Sequence, residues 1–188
     1  MGKALSEMSL KELWELFPIF LVQHQEHWKE WYIEEESRLQ SFLPLLEQLK
    51  INHIGSTAIN QIWAKPTIDI LVEIPASFSM KCIKELLVNN GYICMSEEGN
   101  RKSFNRGYTN EGFAERVFHL HLRYLGDNNE LYFRDYMNDY SAMAKQYEEM
   151  KLLLWKKFEH DRDGYTNAKG RFISECTEKA KKVYENRY

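Results

Sequence analysis

The stretch Thr67-Ile-Asp-Ile-Leu-Val-Glu-Ile74 constrains this chain more than any other. Its apolar residues alternate with period two, which predicts a β-strand over 67–74. Ile68, Ile70, Val72 and Ile74 share one face, and Thr67, Asp69, Leu71 and Glu73 share the other. The first face belongs to a core. The second holds a carboxylate in a partly polar setting, where it can meet a ligand. Pro66 fixes the entry to this strand and Pro75 stops it.

A shorter strand is predicted over 51–54, and Gly55-Ser-Thr57 follows it directly. A glycine with two hydroxyls after a strand lets backbone N–H groups approach a phosphate closely. Gly-Ser is also ordinary turn chemistry. Lys65 and Asp69 add a cation and a carboxylate. Together the three elements can serve a nucleotide triphosphate: the turn holds phosphate, Lys65 neutralises charge and Asp69 binds Mg²⁺. The alternative makes Asp69 a structural acceptor and Lys65 surface charge.

Around this centre the chain reads as helices, then a compact β-rich middle, then helices again. That is an α+β class and a single domain. Ser9-Leu-Lys-Glu12 has the form of a capping box, with Leu10, Leu13, Trp14 and Phe17 at helical spacing behind it and Pro18 ending the helix. A second helix is predicted over 27–43, with aromatics (Trp28, Trp31, Tyr32) and a solvated charged face (Glu34, Glu35, Glu36, Arg38). The packing expected for the aromatic N-terminal residues is on their own domain. A helix over 79–90 closes on Asn90-Gly91. Strands follow over 92–95 and 113–125, with a hairpin or mobile loop over 97–112 between them. The turn Gly126-Asp-Asn-Asn129 leads to helices over 129–138, 141–159 and 166–186, with a break at Asp163-Gly164.

His119 and His121 stand two apart on a predicted strand, so both rings share a face, while Phe118, Leu120 and Leu122 point to the core. Such a pair can ligate a transition metal with a third ligand, or donate hydrogen bonds to a phosphate. Further basic candidates are Arg101, Lys102, Arg106, Arg134, Lys151, Lys169 and Arg171. Tyr165 and Lys169 are spaced i and i+4 on one helix face.

Composition narrows the function classes. The chain has 188 residues, 44% hydrophobic and 28% charged, enough for one domain with its own core. A net charge of −3 argues against nucleic-acid binding by bulk electrostatics. No stretch reaches the roughly 20 apolar residues of a membrane span. Leu16 to Val22 contains Pro18 and lacks a basic leader, so no signal peptide is expected. Cys82, Cys94 and Cys176 are scattered without a CxxC pair, which suits buried thiols in a reducing cytoplasm and argues against a cysteine zinc site.

His53-Ile-Gly-Ser-Thr-Ala58 followed by Ala64-Lys-Pro-Thr-Ile-Asp-Ile-Leu-Val72 resembles the signature of the GrpB-like proteins, which belong by fold to the nucleotidyltransferase superfamily. The likeness continues through Gly91-Tyr92, Phe118-His-Leu-His-Leu122, Phe133-Arg-Asp-Tyr136, Asp161-Arg162, Tyr165 to Lys169 and Phe172-Ile173. It covers residues 25–180 and sets 1–24 apart as an N-terminal helical extension to a 25–188 domain. It implies a nucleotidyltransferase-like mixed β-sheet flanked by helices, with the Gly-Ser turn opening a nucleotide-sized cleft. In active members of that superfamily, two acids at i and i+2 and a third from a later strand bind two Mg²⁺ ions. This chain departs from the pattern. Thr67 and Leu71 flank Asp69 on its face, Glu73 is about 13 Å further along, and His119 and His121 stand where a third acid is expected. Ile59-Asn-Gln-Ile62 also replaces the more usual Val-Pro-Gly-Leu.

The expected function is a nucleotidyltransferase-like protein that binds a nucleotide or phosphorylated small molecule, with a divalent metal (Mg²⁺ ahead of a transition metal) on an incomplete carboxylate site. Asp69 and His121 are the catalytic candidates. Gly55, Ser56, Thr57, Lys65, Arg101, Arg106, Arg134 and Lys169 are the ligand-binding candidates, and Asp69, His119 and His121 the metal candidates. The alternatives are a non-catalytic module for a coenzyme A-related ligand, since resembling domains can be joined to a dephospho-coenzyme A kinase, or a transition-metal enzyme using His53, His119, His121 and Asp69. No membrane partner is expected, and the expected location is cytoplasmic.

Overall fold

The computed structural model describes residues 3–44, 48–185 and 187–188. Five strands form one mixed sheet: β1 (Lys50–Ile54), β2 (Thr67–Ile74), β3 (Ile93–Glu98), β4 (Arg101–Thr109) and β5 (Gly112–Tyr124), in the order β1-β2-β5-β4-β3. Among the described residues only β2 and β5 run parallel; the other pairs are antiparallel. The helices are α1 (Leu10–Leu16), α2 (His27–Phe42), α3 (Met80–Asn89), α4 (Asn129–Asp139), α5 (Ser141–Phe158) and α6 (Arg162–Val183).

The period-two pattern of β2 does what it predicts. Ile68, Ile70, Val72 and Ile74 are fully buried with Phe118, Leu120 and Leu122 of β5, under Trp28 and Leu39 of α2 and Ile83 and Leu87 of α3. Burying an aliphatic or aromatic side chain of this size contributes roughly 1.5–3 kcal/mol, so this layer fixes strand register. On the opposite sheet face, Leu71 meets Ile54 and Leu131. Helices α4, α5 and α6 close over that face through Phe133, Met137, Tyr147, Cys176 and Ala180, joined by Ile59 and Ile62 from the segment after β1.

Several expectations change. The 97–112 segment is not a mobile loop: β4 fills it and pairs with both β3 and β5. Its Arg, Lys, Asn and Gly content hid a strand whose Phe104 is fully buried. Glu35 is not part of a solvated face. It is buried, receives hydrogen bonds from Arg38 and Tyr92, and pairs with Arg106. Helix α6 starts at Arg162, because the Asp161 carboxylate accepts from Gly164 N at 2.8 Å and makes the expected break a capped first turn. Asn186, at the expected end of that helix, lies outside the described residues. Cys82 is exposed, whereas Cys176 is buried.

The capping box forms, with Ser9 N donating to Glu12 at 2.6 Å. Beyond α1 the chain is extended, Phe17, Ile19 and Leu21 are buried, and Val22 bridges Ala64. Among the described residues no helix is long and apolar enough to cross a membrane.

Candidate functional site

Strand pairing assembles the site. Antiparallel pairing sets Ile54 opposite Asp69, which puts the turn after β1 beside the carboxylate. Parallel pairing sets Asp69 opposite His119 and Leu71 opposite His121. At Gly55 the backbone takes φ 71° and ψ −170°, a region essentially restricted to glycine. A Cβ there would lie 2.2 Å from Asp69 Oδ2, so turn and carboxylate are in direct contact. The Thr57 hydroxyl ties the turn down from beneath by donating to Thr67 O at 3.1 Å. It therefore accepts from His53 Nε2 at 2.9 Å.

Asp69 Oδ1 faces two imidazoles, with His119 Nδ1 at 3.3 Å and His121 Nε2 at 3.9 Å. The proton positions follow from their other partners. Arg162 can only donate, and it does so to the Tyr108 hydroxyl at 2.7 Å. Tyr108 in turn gives its proton to His119 Nε2, 2.8 Å away, so the His119 proton sits on Nδ1 and points at Asp69. Arg123 approaches His121 Nδ1 at 3.4 Å, which leaves the His121 proton on Nε2, again toward Asp69. Burial pushes His119 down to about 4, with Asp69 opposing, so the ring is neutral at neutral pH. Burial also works to raise the Asp69 carboxyl, but its contacts with His119 and His121 outweigh that and hold it well below the usual range.

Tyr108 reaches this face because the β4–β5 register breaks between Arg106 and Tyr108. Phe104 and Arg106 point to the core side, where Arg106 lies over the Phe118 ring. Simple alternation would send Tyr108 there too. Between these pairs Gly107 alone stands against residues 114–117 of β5, and this odd shift in register turns Tyr108 over, as a bulge does. Gly107 has φ 91°, and a Cβ there would meet Arg116 O at 2.2 Å.

Two lobes of one cleft meet at Ser56, Asp69, His121 and Lys169. The first, about 260 Å³, is walled by Lys65, Lys151, Arg162 and Lys169. The second, about 480 Å³, lies between the sheet and the helices, with Ile54, Phe133, Tyr147 and Ile173 among its walls. Burial, reinforced by neighbouring cations, pushes Lys65 and Lys151 down to about 7; burial also pushes Lys169 down to about 8, with Asp69 opposing. Tyr147 and Lys151 on α5, and Tyr165 and Lys169 on α6, form matching i, i+4 pairs. Each ammonium lies over its ring, at 4.7 and 4.2 Å.

The structure therefore brings together Gly55, Ser56, Lys65, Asp69, His119, His121 and Lys169. Other candidates fall elsewhere. Thr57 is buried beneath the turn. Arg101 pairs with Asp127 at the far end of β4, and Lys102 pairs with Glu97. Arg106 is held by Glu35 on the opposite sheet face. Arg134 donates to His53 O at 2.9 Å and pairs with Asp135, behind the turn and outside the cleft lining. Arg171 is an exposed partner of Glu175. His53 stacks on Tyr32, with centroids 4.9 Å apart, and does not join Asp69. Among the described residues, no three His, Cys, Asp or Glu side chains converge to hold a metal ion. Lys151 stands among the basic candidates of the sequence, whereas spacing does not single out Arg162, Tyr108 or Tyr147. The repeated Tyr-x-x-x-Lys pattern was the available signal for the α5 pair.

A sequence model of the family described as GrpB protein matches residues 18–179. The glutamate-rich protein GrpB of Alkalihalophilus pseudofirmus is 36% identical over 163 residues, covering 84% of this chain and 92% of that protein. The crystal structure of the conserved protein GrpB from Enterococcus faecalis superposes with a TM-score of 0.74 at 27% identity, over 88% of this chain and 99% of that one. The Cid1 poly(U) polymerase with Mg 3'-dATP bound superposes at a TM-score of 0.50 and 10% identity, over 85% of this chain and 51% of that one; this likeness concerns the fold alone. The fold is nucleotidyltransferase-like, and the chain belongs to the GrpB family.

Proposed function

We propose that the cleft binds a nucleotide or another phosphorylated small molecule, with the phosphate in the cationic lobe. One observation carries this reading. Elsewhere among the described residues the basic side chains that are not exposed sit in ion pairs, such as Lys102 with Glu97, Arg106 with Glu35 and Arg134 with Asp135. Among the described residues, Lys65, Lys151, Arg162 and Lys169 have no such carboxylate partner, although they share one half-enclosed lobe. Clustered, partly desolvated cations are costly unless an anion joins them. A phosphoryl group supplies that charge and the acceptors for several donors at once.

The residues divide the work. Gly55 and Ser56 offer backbone and hydroxyl donors at the lobe's edge, and the four cations neutralise charge. Phe133, Tyr147 and Ile173 give the organic part of the ligand an apolar wall. A nucleotide is the ligand of the Cid1 polymerase structure that shares this fold. Calorimetric titration with the common nucleoside triphosphates and pyrophosphate tests the reading. At least one should bind, and Lys169→Ala should weaken it about tenfold or more, the loss of one charged hydrogen bond. Silence across all of them would refute it.

A further inference from the structure

The superfamily fold implies two Mg²⁺ ions held on carboxylates, and the residues of this cleft do not fit them. Asp69 has Thr67 and Leu71 as its neighbours on the same face, both buried and neither a carboxylate. Across the parallel pairing, where another acid would complete a metal pair, stand His119 and His121. Both present N–H groups to Asp69 Oδ1, and Oδ2 fills the space beside Gly55 that a Cβ would need. Glu130 and Glu178 belong to the second lobe. Among the described residues no group of three acidic, His or Cys side chains is arranged to hold a metal ion.

Against this single carboxylate the same cleft sets Lys65, Lys151, Arg162 and Lys169. We propose that the site takes its phosphorylated ligand as the free anion, with these four cations supplying the neutralisation that metal ions supply elsewhere in the superfamily. The inference rests on the phosphate-binding reading above and adds to it the ionic form of the ligand. A Mg²⁺-complexed diphosphate carries two fewer negative charges and would bring a divalent cation against a cationic wall. Asp69 then acts as a countercharge and as the group that orients the two imidazoles. It repels the bound anion and does not ligate a metal.

The test is calorimetric titration of pyrophosphate into the full chain, first in EDTA and then in excess MgCl₂. Binding is expected in EDTA and should be about tenfold weaker or worse with Mg²⁺, as the free anion is depleted. Asp69→Asn removes the negative charge that faces the phosphate, so in EDTA it should bind pyrophosphate at least as tightly as the parent. Binding that requires Mg²⁺ overturns the proposal and leaves phosphate recognition standing. So does loss of binding in an Asp69→Asn variant whose circular dichroism shows it folded. If Asp69→Asn does not fold, the Mg²⁺ comparison on the parent decides alone. No heat in either buffer overturns this proposal, and phosphate recognition then stands or falls with the nucleotide titrations.

Discussion

Replacing Gly55 with alanine measures how closely the turn and the aspartate are built onto each other. The φ of 71° with ψ of −170° costs a non-glycine residue on the order of 1–3 kcal/mol. The added carbon would also fall 2.2 Å from Asp69 Oδ2 and 2.8 Å from Cγ. No rotation of a methyl group relieves that, so Asp69 must swing away from His119 and His121. Losing polar contacts to a charged acceptor costs roughly a further 1–3 kcal/mol. The sum is about 2–6 kcal/mol, a large share of the roughly 5–15 kcal/mol that typically holds a domain folded. Gly91→Ala is the control. Its φ is 86°, and a Cβ there meets nothing within 4 Å, so it carries the backbone cost alone. Urea unfolding of both variants, compared at a common slope, isolates the part due to Asp69. Gly55→Ala is expected to be less stable than Gly91→Ala by about 1 kcal/mol or more. Coincident unfolding curves for the two variants would refute the argument.

Three further outcomes are expected. Gln61 holds φ 59°, in the left-handed region that favours glycine, so Gln61→Gly should stabilise by about 1 kcal/mol and raise Tm by roughly 2–4 °C; a lower Tm would count against it. Tyr108→Phe removes the donor to His119 Nε2. Side-chain ¹⁵N NMR should then show the His119 Nε2 resonance shifting as its hydrogen bond is lost, with the proton kept on Nδ1 by Asp69, and an unchanged spectrum would remove Tyr108 from the relay. Burial pushes the fully buried Lys151 amino group down to about 7, so above that pH the unfolded chain holds a proton that the folded chain has lost. Stability should therefore rise with pH from about 7 toward the usual lysine value, by up to about 1.4 kcal/mol per pH unit. Lys65 and Lys169 titrate in the same window, so Lys151→Met should reduce the total slope in urea unfolding at pH 7, 8 and 9 by up to about 1.4 kcal/mol per pH unit without abolishing it, and an unaltered slope would contradict the assignment.

Much of this architecture is legible in local pattern because local pattern causes it. The alternation in β2 is the burial alternation itself, and the same holds for His119 and His121 between buried Phe118, Leu120 and Leu122. The Gly-Ser turn and Asp69 are legible together because one hairpin joins them. Arg101 and Arg106 were misplaced for a nonlocal reason. Their partners, Asp127 and Glu35, come from segments that sequence spacing does not bring near. Tyr108 was invisible because its face is set by the register break at Gly107, which reverses the parity that alternation assumes. Lys151 and Arg162 depend on how α5 and α6 settle over the sheet, which packing decides.

The parallel β2–β5 pairing also bears on how the site comes into being. The β1–β2 hairpin carries Gly55 and Asp69, whereas the β4–β5 hairpin carries Tyr108, His119 and His121. Each hairpin is a local structure that can form early, and each holds only half of the chemistry. The halves join when the crossover through α3, β3 and β4 brings β5 alongside β2, a nonlocal closure that is entropically slow. A partly folded chain therefore owns either the aspartate's setting or the histidines', never both, and ligand binding by this cleft reports completion of folding.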